Sequence, residues 1–145
     1  MDAVHYSSVH DGWGTPPDFF AALDQEFHFT LDPCCTIATA KCKKFYTPAD
    51  DGLSKSWAGE IVFMNPPYGR PIKDWVRKAY RESLRGATVV CLVPARTDTV
   101  WWHTYCMKGE VRFIKGRLKF VNGACNNPAP FPSAVVIFRP GSGLV

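Results

Sequence analysis

The chain has 145 residues, of which 46% are apolar, 14% aromatic and 21% charged, with a net charge of +4. That composition fills a two- or three-layer core and excludes an extended disordered polymer, so irregular structure is expected only over 1–11 and 141–145. No run of about 20 apolar residues occurs, and no basic segment leads into an apolar one at the N-terminus, so no membrane helix and no secretory leader are expected. The expected location is the cytoplasm, and the expected organisation is one domain over 1–145.

In that compartment the six cysteines read as buried free thiols, and their spacing fits none of the usual zinc patterns. The mild basicity suits an anionic partner. Lys41, Lys43 and Lys44 form the densest patch, and Arg70, Lys73, Arg77, Lys78, Arg81 and Arg85 are more dispersed.

In chain order, Thr15-Pro16-Pro17-Asp18 reads as a helix start, with Thr15 as cap and a proline at the first helical position. Phe19, Phe20, Leu23 and Phe27 continue it at helical spacing. Phe27, Phe29 and Leu31 then alternate with polar residues, predicting a strand that ends at Asp32-Pro33. A short helix is expected around Thr36–Phe45. Ile61–Met64 is an apolar strand running directly into Asn65-Pro66-Pro67-Tyr68. Ile72 to Leu84 carries one apolar helical face, and Gly86 stops it. Val89–Val93 is a fully apolar strand closed by Pro94, and Asp98–Met107 reads as a helix ending at Gly109. Val111–Ile114, Leu118–Val121 and Ala134–Arg139 are late strands, the first two expected to pair around a Lys115-Gly116 turn.

Strands alternating with helices and followed by paired strands predict an α/β fold, mostly parallel with an antiparallel C-terminal edge. Ligands of such sheets bind beyond the carboxyl ends of the strands, near the switch in strand order. Asp32 and Asn65 each follow a predicted strand and so face one crevice.

The loop Asn65-Pro66-Pro67-Tyr68 suits a particular chemistry. The lone pair of an aromatic exocyclic amine is delocalised into its ring, which makes the amine a poor nucleophile. Two acceptors that take both N–H bonds draw the nitrogen towards tetrahedral geometry and aim its lone pair. An asparagine oxygen and a neighbouring backbone carbonyl are such acceptors, and two prolines stiffen the loop that carries them. A tyrosine ring can stack on the base, worth roughly 1–3 kcal/mol.

Beyond that loop, the matching segments are Trp13 to Phe20, Leu31 to Cys34, Asp51-Gly52-Leu53, Met64 to Gly69, Leu92 to His103 and Gly116 to Phe120. In these the chain resembles the phage-type DNA N-6-adenine methyltransferases, a family of class I S-adenosylmethionine-dependent enzymes carrying the NPPY motif. The resemblance runs over about 13 to 139. It implies a trimmed, Rossmann-like methyltransferase sheet, S-adenosylmethionine as cofactor, and DNA as partner, double-stranded with the adenine flipped out. It also implies a phage or prophage origin. It places Asn65, Pro66, Pro67 and Tyr68 in the catalytic loop, and Thr15, Pro16 and Phe19 or Phe20 at the methionine end of the cofactor. Asp32 and Pro33 take the place of the acidic-Pro start of the first cofactor motif, and Asp51, or the adjacent Asp50, that of the acid against the cofactor adenine. Asn65 also borders the cofactor. Tyr68, Arg96, Asp98 and Trp101 border the substrate, with Phe120 or Phe131 as the second face of a base sandwich.

Two departures accompany the resemblance. Cys35-Thr36-Ile37-Ala38 stands where larger relatives carry a Gly-x-Gly turn. Asp32 and Asn65 are only 33 positions apart, so the intervening part of the sheet is expected to be cut down. No separate recognition domain fits, so target selectivity is expected to come from short loops such as Asn122–Pro132 or from a partner chain, or to be low. The same acceptor geometry serves an RNA adenine or a protein glutamine, and a catalytically inactive nucleic-acid-binding module using Ile72–Arg85 is the reading from another class.

Overall fold

The computed structural model describes residues 14–122 and 125–141. Most of the two ends expected to be irregular lies outside the described residues. Among the described residues eight strands and three α-helices follow in the order α1 (Pro17–Phe27), β1 (Leu31–Asp32), β2 (Lys44–Phe45), β3 (Ile61–Met64), α2 (Ile72–Ser83), β4 (Thr88–Pro94), α3 (Val100–Thr104), β5 (Glu110–Phe113), β6 (Lys119–Asn122), β7 (Cys125–Pro128) and β8 (Ser133–Phe138).

Six strands make one sheet in the order β2-β1-β3-β4-β8-β5. The pairs β2–β1, β1–β3 and β3–β4 are parallel, whereas β8 runs antiparallel to both β4 and β5. The expected α/β class with an antiparallel C-terminal edge is what the chain forms. The central strands alternate between two buried faces. Val62, Met64, Val89, Cys91, Val93, Val136 and Phe138 pack with Val76 and Ala79 of α2. Phe63, Val90, Leu92, Val135 and Ile137 pack with Leu23 of α1 and with Phe120 and Phe131. Covering both faces is why these strands read as continuous apolar runs.

Several elements differ from expectation, each for a local reason. At the start of α1 the cap position falls on Pro16, which offers no side-chain cap, and Pro17 is the first helical residue. The Thr15 hydroxyl is used elsewhere. The α1 helix extends through Phe27 and ends on left-handed His28, whose N–H donates to Asp24 O, so the strand is confined to Leu31–Asp32. No helix forms over Thr36–Phe45. There the Thr36 and Thr39 side chains exchange hydrogen bonds with each other's backbone N–H, a local alternative to helix, and Lys44–Phe45 pairs with β1. The expected helix over Asp98–Met107 is limited to Val100–Thr104, capped by the Thr99 hydroxyl, with a separate 3-10 turn at Cys106–Lys108. The late hairpin around Lys115-Gly116 does not form: β5 pairs with β8, and β6 with β7.

The segment between β1 and β3 is as short as expected, holding only β2 and a 3-10 turn at Gly52–Ser54. It is fastened to the sheet from below by Glu82, which is wholly buried on α2. The Glu82 carboxylate accepts from the backbone N–H of Trp57 and pairs with Lys78 at 3.4 Å and Arg85 at 3.0 Å. Lys78 also donates to the Lys55 carbonyl and lies over the Trp57 ring. Removing a buried carboxylate that satisfies both a backbone donor and two cations costs about 3 kcal/mol. Glu82→Ala is therefore expected to lower unfolding stability by that amount and Glu82→Gln, which keeps an acceptor for Trp57, by about half of it, as read by urea denaturation.

Candidate active site

The strand order reverses between β1 and β3: β2, the next strand after β1, lies on one side of it and β3 on the other. Backbones diverge at such a point and leave a crevice beyond the carboxyl ends. Asp32 ends β1 and Asn65 follows β3, and the structure brings their surroundings together. Cys34 donates its N–H to Asp32 Oδ1, and its thiol lies against the backbone N–H of Asn65.

Asn65, Pro66 and Pro67 are buried, a consequence of a rigid loop leaving a fully covered strand. The Asn65 carboxamide is held at both ends. Its Nδ2 donates to Thr15 Oγ1 at 3.0 Å, and its Oδ1 accepts from the Tyr68 hydroxyl at 2.9 Å. Tyr68 OH also lies 3.4 Å from the Leu92 carbonyl oxygen. Burial, with Cys34 close by, pushes the phenol well above its ordinary range, so Tyr68 is neutral. Gly69 takes φ 93, a conformation that favours glycine, and no other atom lies close to where its Cβ would be. Its backbone conformation, rather than close approach, is the reason for glycine there.

Phe131 and Phe120 meet the Tyr68 ring edge-on, with centroids at 5.5 and 6.3 Å. Both are buried, at 7% and 0% exposure, and they form a wall behind Tyr68 instead of the second face of a slot. Exposed Arg96 lies over the outer side of this wall, 5.6 Å from the Phe131 ring. Asp98 is exposed on the following loop. Trp101 is only 9% exposed and packs on Trp102 in the core on the α2 side of the sheet, a core that Tyr68 also touches.

Asp32 is 3% exposed, and each of its oxygens accepts a backbone N–H, from Cys34 at 3.4 Å and Lys41 at 3.0 Å. Burial raises its pKa to about 6, against the pull of those two donors. These two backbone donors, rather than a glycine turn, organise the segment after β1. Lys41 also sits over Phe20 of α1 at 5.9 Å, so α1 reaches the same region, and Phe20 stands edge-on to Phe63 of β3. Phe19 is half-buried beside it.

Next to Asp32 a cavity of about 300 Å³ is lined by Pro33, Cys34, Asp51, Leu53, Pro71 and Trp75, among others. Its walls are apolar, with the Asp51 carboxylate as the acidic group. Asp51 has φ 57, unusual for a residue other than glycine and a form of strain found at binding sites. Gly52 follows because a Cβ there would lie 2.1 Å from the Pro33 carbonyl oxygen and 3.2 Å from Trp75. Asp50 does a different job: it accepts from the Thr47 N–H and hydroxyl, closes the turn, and is thereby held below the usual carboxylate range. Sequence reasoning left Asp50 and Asp51 open and did not find Trp75, whose helical spacing marks it only as core, or Cys34 as the contact between the two loops.

Cys34, Cys35, Cys42, Cys91 and Cys106 are free, and burial pushes their thiols up, that of Cys42 to about 12, so they are neither thiolates nor nucleophiles. No cluster of metal-ligating side chains occurs among the described residues, and no helix is long and apolar enough to cross a membrane.

Comparison with known proteins of similar sequence gives the family. The chain is 32% identical over 141 residues to a DNA N-6-adenine-methyltransferase of Haemophilus phage HP1, covering 92% of this chain and 81% of that protein. It is 31% identical over 97 residues to a DNA N-6-adenine-methyltransferase of Escherichia phage T1, covering 66% of this chain and 40% of that protein. The family model described as DNA N-6-adenine-methyltransferase (Dam) matches residues 3–142, and the chain belongs to that family.

Proposed function

We propose that the chain transfers a methyl group from S-adenosylmethionine to N6 of adenine in DNA, acting on duplex with the adenine turned out of the stack, in the cytoplasm of a bacterial host. The observation that carries this reading is the buried Asn65 carboxamide directly after β3, with its oxygen towards Tyr68. That oxygen and the Pro66 carbonyl are the two acceptors for the amino N–H bonds. The Tyr68 hydroxyl occupies Asn65 Oδ1 in the absence of substrate and gives way to the amine, freeing the tyrosine ring to stack on the base. Phe131 and Phe120 support that ring from behind, and Arg96 and Asp98 border the base or its backbone. Trp101 has the weakest claim to a substrate role, given its packing.

The cofactor supplies a methyl group activated by a sulfonium. The cavity beside Asp32 fits its adenosine end: the size suits a planar ring and the walls are apolar. Asp51 accepts from that end, and Asp32 and Pro33 bound its middle. Pro16, Phe19 and Phe20 of the α1 start close the methionine end. No group need take a proton before attack, because the nitrogen becomes acidic only once methylated. Most of the rate gain is positional, and effective molarity allows roughly 7–11 kcal/mol from that source.

Tritium transfer from labelled cofactor tests the reading, offered duplex DNA, tRNA and a cell lysate in parallel. Label in N6-methyladenine of DNA is expected; label confined to tRNA or to protein would overturn it. Asn65→Ala is expected to cut turnover at least ~100-fold, the scale of losing one positioned polar group, with cofactor affinity within about threefold of the original. Asp51→Asn should weaken cofactor binding by calorimetry at least about tenfold, whereas Asp50→Asn should mainly lower melting temperature.

A pH titration separates binding from folding. Asp32 is ionised at neutral pH and protonates as pH falls through about 6. Its raised pKa contributes stability that is fully present below about pH 4 and is lost as pH rises through 6, so acidification in this window does not weaken the fold through Asp32. Affinity for S-adenosylhomocysteine is expected to fall about tenfold from pH 7.5 to pH 5, the reverse trend.

A further inference from the structure

Asparagine has a structural ambiguity that matters for the proposed chemistry. Its carboxamide has nearly the same shape in its two orientations, related by a half-turn about the last side-chain bond. One presents an acceptor to the amine and the other presents a donor, and a donor facing an amino group cannot take its proton. The catalytic loop therefore needs the Asn65 side chain held firmly in the productive orientation.

We infer that Thr15 is a positioning residue that, together with the Tyr68 hydroxyl, holds the Asn65 carboxamide in place with its oxygen towards the incoming amine. A hydroxyl both donates and accepts, so Thr15 contributes the hold on the nitrogen end rather than the choice between the two ends. Its hydroxyl oxygen accepts from Asn65 Nδ2 at 3.0 Å, on the side away from Tyr68, while Oδ1 faces Tyr68. Thr15 is 4% exposed and Asn65 8%, so water competes little for this bond. The two residues are 50 positions apart, and the fold spends structure on bringing them together. Gly14 pairs with Val121 of β6 through two backbone hydrogen bonds, at 3.2 and 2.9 Å, which sets the position of the next residue. Only glycine fits there, since a Cβ would lie 2.8 Å from the Val121 carbonyl oxygen. On the other side Pro16 and Pro17 fix the backbone at the start of α1. Thr15 thus sits between two rigid anchors, with its hydroxyl released from helix capping and directed at Asn65.

This inference rests on the proposed role of Asn65 and differs from the methionine-end role that family resemblance gives Thr15. The two roles separate in kinetics. A positioning residue for Asn65 alters turnover at saturating cofactor; a cofactor ligand alters cofactor affinity and spares turnover.

The experiment compares the original protein with Thr15→Val, which keeps shape and removes the acceptor, and Thr15→Ser, which keeps the acceptor. Thr15→Val is expected to lower kcat on duplex DNA about tenfold, with cofactor Kd by calorimetry within threefold, and Thr15→Ser to restore most of the loss. In the Asn65→Ala background the valine change should lower kcat no further. By NMR, the Asn65 side-chain amide protons of Thr15→Val should exchange with solvent faster than those of the original protein and of Thr15→Ser. Unchanged kcat and unchanged amide exchange in Thr15→Val would overturn the inference, as would a loss confined to cofactor affinity. If Thr15→Val does not fold, Thr15→Ala carries the same comparison. Should the original protein itself fail to methylate DNA, the proposed function fails, and the amide exchange still reports whether Thr15 holds Asn65.

Discussion

A carboxamide buried at the end of a strand must have its polar atoms satisfied, or it costs about 1–3 kcal/mol for each one left without a partner. Asn65 meets that requirement with groups drawn from distant parts of the chain: Thr15 ahead of α1 for its nitrogen and Tyr68 of its own loop for its oxygen. Much of the architecture around the site follows. Helix α1 must begin where its preceding residue reaches β3, which the Gly14–Val121 pairing and the two prolines secure. Tyr68 must lie flat enough for its hydroxyl to reach Asn65, and the edge-on rings of Phe120 and Phe131 hold it there. The β6–β7 pair, outside the main sheet, supplies both Val121 and Phe120 to this arrangement.

The Asp32 side of the crevice solves a different problem. A short connection from β1 to β3 lacks the glycine turn of larger sheets, so the backbone after β1 needs another organiser. Asp32 serves by accepting N–H groups from residues two and nine positions later, which draws the loop around its carboxylate. The cost is a buried acid whose pKa rises to about 6. Glu82 plays a parallel role below, anchoring Trp57 and two cations, and it appears as an ordinary surface-type acid in the sequence. Two buried carboxylates therefore brace a segment with almost no regular structure of its own.

This explains which parts were legible in advance. β3, β4 and β8 and the helix α2 were readable because burial on both faces, or on one helical stripe, leaves a periodic apolar trace. The loop after β3 was readable because its chemistry is local, four consecutive residues. Where partners are chosen at a distance, the trace is ambiguous. The Lys115-Gly116 turn signal is real, and Gly116 does take a positive φ, but the apolar strand β8 competes for β5 and wins it for the main sheet. The threonines at 36 and 39 look compatible with a helix until their hydroxyls engage each other's backbone. Thr15 fits the pattern of a cap by position, and only the fold shows that its hydroxyl serves another residue. Asp50 and Asp51 are indistinguishable as letters; the Thr47 turn takes one and the strained backbone turns the other to the cavity.

The distribution of charge bears on how the chain meets DNA. Helix α2 carries the densest row of cations after the Lys41 patch, and on sequence alone it could serve as a binding face. In the folded chain much of that charge is already committed: Lys78 and Arg85 to Glu82, and Arg77 to Asp74 at 3.5 Å. Lys78 is moreover folded onto Trp57 and Lys55. Lys73 and Arg81 of the same helix are exposed and make no ion pair among the described residues, so the face keeps a positive balance that can meet a phosphate backbone. Arg96 likewise stands exposed near the crevice, held over Phe131 and making no ion pair among the described residues. Free positive charge thus stands both on α2 and at the carboxyl ends of the strands. The proposed role of Asn65 and Tyr68 makes the second the place where a base would enter, with α2 free to meet the backbone.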